Sequence, residues 1–370
     1  MKKVLLIANE YTTIVNFRME LLTELVKSYE VVVVVPHHDR DIEIKDVGCK
    51  VINVAVERTG KNPFHDIAFF NEIKRLLKLE KPDIVFTYTI KPNIYGGLAC
   101  SKLKIPYVPN ITGLGDSIVS GGLLSKISLF LYKKGLKKAQ TVFFQNEFNY
   151  EFMKRKGIVS NSCIVLPGSG VNLERNAFCA YPKNDGVVRF VTIGRLMKSK
   201  GTSELLDSVQ IIKNKYPNTK FTFVGSYEGN FKTIVDGLVD RGIIDYVPYQ
   251  KDVRVFIQES NAIIHPSYHE GMSNVLLESA AIGRPILASN IPGCKEIVDD
   301  GTTGFLFEPK NVDSLVDAII RFVSLTYEKR LKMGRLSREK VEKQFDRKIV
   351  IDAYMKEIEK NTKEKRNETL

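Results

Sequence analysis

The sequence contains no tryptophan and only five cysteines among its 370 residues. The cysteines are odd in number and widely spaced, and no two of them form a C-x-x-C pair. A disulfide framework is therefore not expected, and reduced, mostly buried thiols in a cytosolic protein are predicted instead. No apolar run reaches the roughly 18 residues that span a bilayer. The apolar stretch after Lys3 is too short for a signal peptide and lacks a following cleavage site, so it is predicted to be a buried strand.

The charge of the chain is shifted toward basic residues. Lysine and arginine total 55 against 43 for aspartate and glutamate, which gives a net charge of +12 and an isoelectric point near 9.2. Such an excess favours an anionic partner, which can be a nucleic acid, an anionic lipid surface or a phosphate-bearing substrate. The hydrophobic share of 44% is ordinary for a globular protein. At roughly 100–200 residues per domain, two domains are predicted.

Short β-branched runs alternate with helical patterns along the chain, which is typical of parallel sheets covered on both faces. The first series predicts strands at residues 3–8, 31–35, 51–54, 83–87 and 107–110 and helices at 17–28 and 67–79. The second series predicts strands at 187–193, 220–224, 262–265 and 285–288 and helices at 203–215 and 274–282. The predicted fold class is α/β, with two doubly wound, Rossmann-like halves.

Proline, glycine and serine cluster at residues 167–171, which marks a domain boundary. The predicted domains are residues 1–168 and 169–345. A helix and tail follow over residues 346–370 and are expected to cross back to the first domain. The charged residues 361–370 lack a core-facing pattern and are expected to fray.

A basic segment, Gly194-Arg195-Leu196-Met197-Lys198-Ser199-Lys200-Gly201, follows a predicted strand and precedes a predicted helix. Gly194 permits a tight exit from the strand, Arg195 offers a forked donor and Lys200 offers a point charge. Ser203 is predicted to cap the helix, whose N-terminus favours an anion. These features indicate a diphosphate site, although a solvated basic loop with an ordinary cap has the same pattern.

Two glutamates follow another predicted strand. Glu270 lies in the loop after the strand, and Glu278 lies about two helical turns later. Ionised carboxylates accept hydrogen bonds from sugar or ribose hydroxyls, so the pair can hold two groups along one ligand. Taken singly, each glutamate is typical of an ordinary surface. The amides predicted to face a phosphate or hydroxyl at the helix start are those of Gly271, Met272, Ser273, Asn274 and Val275.

His265 and His269 have the four-residue spacing of a metal-binding pair on a helix. Pro266 argues against one continuous helix, and no H-E-x-x-H sequence is present. Both histidines are therefore predicted to be loop or packing residues. No metal ion and no other cofactor is expected.

Together these segments resemble the retaining glycosyltransferases of family 4, which have the GT-B fold of two Rossmann-like domains facing across a cleft. The resemblance also includes a Gly-Arg-Pro sequence at residues 283–285 and Gly-Thr-Thr-Gly-Phe-Leu at residues 301–306. It implies that the second domain binds a nucleotide-sugar. Arg195 and Lys200 would then grip the diphosphate and Glu278 the ribose, while Glu270 and the nearby amides would hold the donor sugar.

The resemblance implies Glu270, Arg195 and Lys200 as the catalytic residues. Gly225 and Tyr249 are assigned with them to the nucleotide-sugar site. The charges of Arg195 and Lys200 and the helix N-terminus would stabilise the departing nucleoside diphosphate without a metal. Retention of anomeric configuration is expected.

The first half of the chain resembles bacterial enzymes that extend undecaprenyl-diphosphate-linked oligosaccharides. The matching segments are Asn-Phe-Arg at 16–18, Thr-Ile-Lys-Pro-Asn-Ile-Tyr-Gly at 89–96, Asn-Ile-Thr-Gly-Leu-Gly at 110–115 and Pro-Gly-Ser-Gly-Val-Asn at 167–172. This implies a UDP-sugar donor, a lipid-linked saccharide acceptor and a role in capsule, lipopolysaccharide or glycan assembly. The implied acceptor-binding residues are Asn16, Arg18, Thr112 and Gly113.

Lysines and apolar residues alternate in the segment from Ser120 to Lys138, and Lys154-Arg155-Lys156 follows nearby, so the lysines of this region run from Lys126 to Lys156. An amphipathic helix of this composition can lie on an anionic membrane, and it can equally pack its leucines inward with its lysines in solvent. The resemblance favours a cytoplasmic protein held peripherally on the inner face of the plasma membrane.

Three alternatives remain from the sequence. One is a two-domain sugar-binding protein without catalysis, which usually needs an export signal, and none is recognised. A UDP-sugar 2-epimerase of the same architecture would bind the nucleotide in the same way but would not use an acceptor. A basic nucleic-acid-binding protein is supported by the net charge alone, because no zinc finger, RNP-type strand or other recognised module is present. Nucleic acid is therefore not expected as a partner.

Overall fold

The computed structural model of the chain describes residues 1–56, 63–114, 118, 122–160 and 162–367, without the side chains of 123, 124 and 362–367. Gly115 of the predicted acceptor segment and the tail residues 368–370 lie outside the described residues. The chain forms two compact units. The first contains Met1–Ser169 and Lys348–Leu370, and the second contains Gly170–Arg347.

The first unit is built on a seven-stranded parallel sheet with the order β3-β2-β1-β4-β5-β6-β7. Its strands are β1 Lys3–Ala8, β2 Glu30–Val35, β3 Lys50–Asn53, β4 Ile84–Tyr88, β5 Tyr107–Ile111, β6 Thr141–Phe144 and β7 Ser162–Val165. Helices in the described part of this unit are α1 Tyr11–Val15, α2 Met19–Leu25, α3 Asp41–Asp46, α4 Pro63–Glu80, α5 Gly97–Leu103, α6 Gly122–Leu136 and α7 Glu147–Arg155. A π-helical turn, Pro92–Gly96, precedes α5.

The second unit is built on a six-stranded parallel sheet with the order β10-β9-β8-β11-β12-β13. Its strands are β8 Val188–Ile193, β9 Thr219–Val224, β10 Asp245–Val247, β11 Ala262–His265, β12 Ile286–Ser289 and β13 Gly304–Phe307. Its helices are α8 Thr202–Lys215, α9 Phe231–Asp240, α10 Arg254–Gln258, α11 Asn274–Ala281, α12 Val312–Val323 and α13 Tyr327–Gln344. The predicted α/β class with two parallel sheets is confirmed.

The central strands are mostly apolar because helices cover both faces of each sheet. Val4 to Ala8 of β1 and Ile84 to Tyr88 of β4 are all buried. Two core clusters lie on opposite faces of the first sheet, one around Leu5 and Ile7 and the other around Val4 and Leu6. Side chains that alternate between faces therefore meet two different apolar layers.

The helix predicted over residues 17–28 is present but shorter, as Met19–Leu25. A separate short helix, Tyr11–Val15, precedes it and was not predicted. Arg18 separates them with a non-helical backbone (φ −132°, ψ 1°), and its side chain is buried. The apolar spacing of Leu21, Leu22 and Leu25 identified the second helix but carried no signal for this break.

The chain ends in α14, Arg347–Asn367, nearly all of which belongs to the first unit. Its Tyr354 is fully buried, with its ring centroid 4.8 Å from that of Phe86 and 5.0 Å from that of Phe143. The Asn110 amide donates a hydrogen bond to the Tyr354 hydroxyl. The expectation that the chain frays from residue 361 is wrong up to residue 367, because α14 continues to Asn367 and Asn361 is buried.

Candidate active site

The strand ends of the second sheet bring the two predicted segments together. Strand β8 ends at Ile193 and lies between β9, which ends at Val224, and β11, which ends at His265. The three strands are parallel, so the loops that follow them leave from the same edge of the sheet. In open parallel sheets, ligands bind at this edge.

Glycines let these loops approach one another. A Cβ atom on Gly225 would lie 1.8 Å from the carbonyl oxygen of Gly194, so only glycine fits there. Gly201 has a left-handed backbone (φ +66°), and a Cβ atom on it would lie 2.1 Å from the Pro266 carbonyl oxygen. The Tyr268 amide donates to the Ser199 carbonyl at 3.0 Å. The basic loop is thus joined to the loop that carries Glu270.

The prediction that Ser203 caps the helix is wrong. Helix α8 begins at Thr202, and Gly201 is its N-cap residue. The Thr202 hydroxyl donates to the Met197 carbonyl at 3.0 Å, which holds the short 3₁₀ turn Lys198–Lys200 against the start of α8.

Glu270 is contacted by two basic side chains. The Lys200 ammonium nitrogen lies 2.5 Å from Glu270 Oε1, and His265 Nε2 lies 2.9 Å from the same oxygen. The Glu270 side chain is 14% exposed, so the three groups form a largely desolvated cluster. We call Lys200, His265 and Glu270 the carboxylate cluster.

The carboxylate cluster keeps Glu270 ionised. Burial alone would raise the pKa of this carboxyl group, but the hydrogen bond and charge of His265 and the charge of Lys200 outweigh burial. The pKa of Glu270 is therefore held below its ordinary value. Burial and the nearby Glu270 charge raise the pKa of the Cys294 thiol well above its usual range, so that thiol stays protonated.

His265 is the site residue that sequence reasoning missed, because it was interpreted as a loop or packing residue. It is the last residue of β11, its side chain is 7% exposed, and its Nε2 atom also lies 3.2 Å from the Ser273 hydroxyl. Its position at a strand end, five residues before Glu270, was the signal available in the sequence. Its spacing from His269 drew attention to the wrong pairing, since His269 is exposed.

Glu278 lies in a different electrostatic environment. Burial raises the pKa of its carboxyl group, and the nearby charges of Arg175, Arg347 and Arg254 oppose that rise while Asp252 adds to it. Arg254 is itself held by Asp252 and donates to the Arg175 carbonyl at 2.9 Å. The arginines offset only part of the effect of burial, so the pKa of Glu278 stays above its ordinary value, and the carboxylate accepts hydrogen bonds when it is ionised.

Other predicted donor-site residues are less enclosed. Arg195 is 58% exposed, and its Nη1 atom lies 3.3 Å from Glu228 Oε2. Tyr249, just after β10, is 71% exposed. Each of these side chains is open to a ligand from solvent but is not held in one position by surrounding protein.

The predicted amides surround the start of α11, whose first residue is Asn274. The Ser273 amide already donates to the Gly293 carbonyl at 3.0 Å, so it is not available to a ligand in this structure. Met272 packs its side chain into a core cluster of the second unit, which restricts it to backbone contacts. Val275 lies in the first helical turn, where amides lack intrahelical carbonyl partners.

In the first unit, the four predicted acceptor residues differ in exposure. Asn16 is exposed at the end of α1, and Thr112 and Gly113 are half-buried just after β5. Arg18 is only 2% exposed, donates from Nη1 to the Phe17 carbonyl at 2.8 Å and places its guanidinium 5.1 Å from the centre of the Tyr88 ring. Arg18 therefore faces protein, which does not fit the direct acceptor contact that the resemblance implied.

Across the described ranges of the chain, no group of three or more His, Cys, Asp or Glu side chains is arranged to hold a metal ion. Within the same ranges, no helix has the length and apolar character needed to cross a membrane.

Comparison with known proteins shows that both halves of the chain match models of glycosyltransferase families. A family model described as "Glycosyl transferase 4-like" matches residues 3–146, and one described as "Glycosyl transferases group 1" matches residues 174–340. The chain is 28% identical over 364 residues to the N,N'-diacetylbacillosaminyl-diphospho-undecaprenol alpha-1,3-N-acetylgalactosaminyltransferase of Campylobacter jejuni, with 93% of this chain and 95% of the relative covered.

A second relative is the UDP-Gal:alpha-D-GlcNAc-diphosphoundecaprenol alpha-1,3-galactosyltransferase of Escherichia coli. It is 27% identical over 276 residues, which cover 69% of this chain and 70% of the relative. Among solved structures, Anabaena HepE in complex with UDP superposes with a TM-score of 0.77 at 16% identity, covering 96% of this chain and 99% of HepE. That likeness bears on the fold and agrees with two Rossmann-like units. The first family model covers β1 to β6 of the first sheet and the second covers every strand of the second sheet, and the chain is a retaining glycosyltransferase of family 4 with the GT-B fold.

Proposed function

We propose that this enzyme transfers a hexose or N-acetylhexosamine from a UDP-sugar to a lipid-diphosphate-linked saccharide in bacterial surface glycan assembly. The observation that carries the proposal is the carboxylate cluster, which places an ionised glutamate beside a lysine at the ligand-binding edge of the second sheet. The names of the Campylobacter and Escherichia relatives support the lipid-linked acceptor, and the UDP complex of HepE supports the donor nucleotide.

In this proposal the second unit binds the donor. Lys200 and Arg195 bind the diphosphate, Glu278 accepts a hydrogen bond from the ribose, and Glu270 accepts one from a hydroxyl of the sugar. The exposure of Arg195 and Lys200, 58% and 30% of their side chains, allows both to reach a ligand from solvent. Gly225, Tyr249 and the amides at the start of α11 complete the proposed site.

The reaction breaks the bond between the sugar's anomeric carbon and the β-phosphate oxygen, and negative charge then develops on that phosphate. Cationic groups fixed where charge develops lower the barrier, so Lys200 and Arg195 act on the leaving UDP. The anomeric carbon passes through an oxocarbenium-like state. We assign the acceptor's proton to the departing phosphate and name no protein base. The proposed mechanism requires no metal ion.

The first unit is proposed to bind the acceptor. Asn16, Thr112 and Gly113 lie on segments that follow β1 and β5, and their exposure allows contact with a saccharide. We assign the buried Arg18 a supporting role beneath these segments, because its guanidinium faces Tyr88.

A donor screen tests the proposed function. The purified enzyme is incubated with a short lipid-diphosphate saccharide and UDP-Glc, UDP-Gal, UDP-GlcNAc or UDP-GalNAc, and UDP release and product mass are recorded. One donor is expected to give a product heavier by one sugar without added divalent metal. An epimerised nucleotide-sugar with an unchanged acceptor would support the 2-epimerase instead. A strict need for divalent metal would contradict the mechanism.

We further propose that α6 contacts an anionic membrane, which places the enzyme peripherally on the cytoplasmic face. One side of this helix is packed, since Tyr132 and Leu136 are fully buried. The other side exposes Ile127 and Phe130, which are 48% and 58% exposed.

Exposed lysines lie near this apolar patch at positions 126, 133, 134, 137 and 138. Apolar side chains flanked by lysines are suited to the headgroup region of an anionic bilayer. Ser120 and Gly121, which begin this segment, lie outside the described residues.

Charge reversal tests the membrane contact. Changing Lys133, Lys134, Lys137 and Lys138 to glutamate is expected to weaken binding to phosphatidylglycerol-containing liposomes by at least about 100-fold, because each lysine near an anionic surface contributes roughly 1 kcal/mol. Flotation measures bound protein, and circular dichroism confirms the fold. The matched control reverses four exposed basic residues of α13, namely Lys329, Lys332, Arg335 and Lys343, and should bind like the wild type. Equal loss in both variants would contradict a specific role for α6.

A further inference from the structure

The two basic partners of Glu270 are held differently. His265 ends a strand that pairs with β12 through the register His265–Ala288, and its side chain is 7% exposed. Lys200 reaches Glu270 from the end of a 3₁₀ turn with a long side chain that is 30% exposed. The imidazole is therefore fixed by the sheet, whereas the ammonium can move to another partner.

The hydrogen bond defines the protonation of His265. The ionised carboxylate of Glu270 can only accept, so the Nε2 atom of His265 carries the proton and donates it to Oε1 at 2.9 Å. Lys200 donates to the same oxygen. We therefore assign Oε2 of Glu270 to the hydroxyl of the donor sugar.

The proposed function gives Lys200 a second anion to bind. When the ammonium turns toward the donor's diphosphate, its contact with Glu270 lengthens, and a carboxylate without another partner would rotate. His265 stays in place during this exchange. The Ser273 hydroxyl, 3.2 Å from Nε2, and the buried Cys294 thiol border the cluster, and Glu296 lies near that thiol.

We propose that His265 is a positioning residue that holds Glu270 in its sugar-binding orientation when Lys200 binds the donor's diphosphate. This inference rests on the proposed function and assigns His265 no contact with the substrate. It predicts that loss of the Nε2 donor impairs turnover of the complete UDP-sugar while UDP itself still binds.

The test compares His265→Leu, which removes the donor, with His265→Gln, whose amide can replace it. With the donor identified by the screen, His265→Leu is expected to lower kcat by roughly tenfold or more, because a hydrogen bond to a charged group is lost. His265→Gln should recover most of this loss. The matched control is His269→Leu, at an exposed histidine four residues away, which should retain wild-type kcat and KM. Calorimetry should show UDP binding within about twofold of wild type in all three variants, because UDP lacks the transferred sugar that Glu270 is proposed to contact.

A double-mutant cycle separates positioning from a general structural effect. In a Glu270→Gln background, His265→Leu should cause little further loss of kcat, since the group that it positions is already changed. Losses that multiply in the double variant would overturn the proposal. If Glu270→Gln lowers kcat but His265→Leu does not, His265 has no positioning role. If Glu270→Gln itself leaves turnover unchanged, the sugar-binding role of Glu270 in the proposed function is wrong.

A second measurement does not depend on turnover. The five histidines of the chain can be labelled with ¹⁵N, and the ring signals of His265 are identified by their loss in His265→Gln. Glu270→Gln should shift these signals, and the signals of His37 and His65, which lie in the first unit, should stay unchanged. Unchanged His265 signals would show that the hydrogen bond is not formed in solution, which would overturn the proposal.

Discussion

Replacement of Arg284 by methionine is expected to lower the free energy of unfolding of the second unit by about 4 kcal/mol. The Arg284 side chain is fully buried, and burial lowers the pKa of its guanidinium. It donates to six backbone carbonyls at 2.8–3.3 Å, those of Cys179, Ala180, Ile257, Gln258, Ile282 and Gly283. Methionine fills a similar length but removes all of these donations. The carbonyls of Ile257 and Ile282 keep the backbone amides of Ser260 and Cys179 as donors, and each acceptor left unsatisfied costs about 1–3 kcal/mol before relaxation.

Thermal unfolding measures the effect, because a chain of two units need not unfold in a single two-state step. At about 2–4 °C per kcal/mol for a unit of this size, the transition of the second unit should fall by roughly 10 °C. Lysine at position 284 should also destabilise, since one ammonium cannot reach six carbonyls. The matched control is Arg241→Met, at an exposed arginine whose Nη1 atom lies 3.5 Å from Gln210, and it should change stability little. A small shift in Arg284→Met would show that water replaces the guanidinium.

The buried central strands could be predicted from the sequence because their apolar runs depend on local composition. Residues 3–8 were predicted as a strand with the bounds that the structure has for β1, and residues 262–265 likewise for β11. Short or peripheral strands were missed, among them Ser162–Val165 and Asp245–Val247. Each has only partial burial and few residues, so neither the alternation nor the length of a strand is visible.

The residue types of the candidate site could be picked out from the sequence, but the contacts among them could not. The spacing between Glu270 and Glu278 and the basic loop at Arg195 and Lys200 were recognisable as local patterns. The contact between Lys200 and Glu270 joins residues 70 positions apart, and it depends on β8 pairing with β11. His265 became part of the site through the same pairing. The burial of single arginines could not be predicted from the sequence either. Arg18 is 2% exposed as a residue, whereas the side chain of Arg195 is 58% exposed.

Arg284 shows that recognising a sequence motif does not reveal what its residues contact. Its Gly-Arg-Pro sequence was recognised as part of the family pattern, but no role followed from it. The structure shows that it joins three backbone segments, at residues 179–180, 257–258 and 282–283. A recognised motif can therefore reflect packing of the chain as well as contact with a ligand.

Replacement of Lys200 by methionine is expected to lower kcat with the UDP-sugar by about 10²–10³-fold, the usual cost of removing one fixed group that stabilises transition-state charge. The ammonium is the cation of the basic loop that the structure holds beside Glu270, at 2.5 Å from Oε1. Since it also binds the ground-state diphosphate in the proposed function, UDP affinity should fall by about tenfold. Lys200→Arg should restore part of the UDP affinity, because the charge is kept but the geometry changes.

The matched control is Lys198→Met, which removes a lysine from the same 3₁₀ turn without removing a contact to Glu270. Lys198 is exposed, and its loss should change kcat less than about threefold if only long-range charge is involved. Kinetics over a range of UDP-sugar concentrations and calorimetry with UDP separate the two roles of Lys200. A lower UDP affinity with unchanged kcat would assign Lys200 to ground-state binding alone. Equal losses in Lys198→Met and Lys200→Met would attribute the effect to the net charge of the loop, and the specific pairing of Lys200 with Glu270 would then have no part in the reaction.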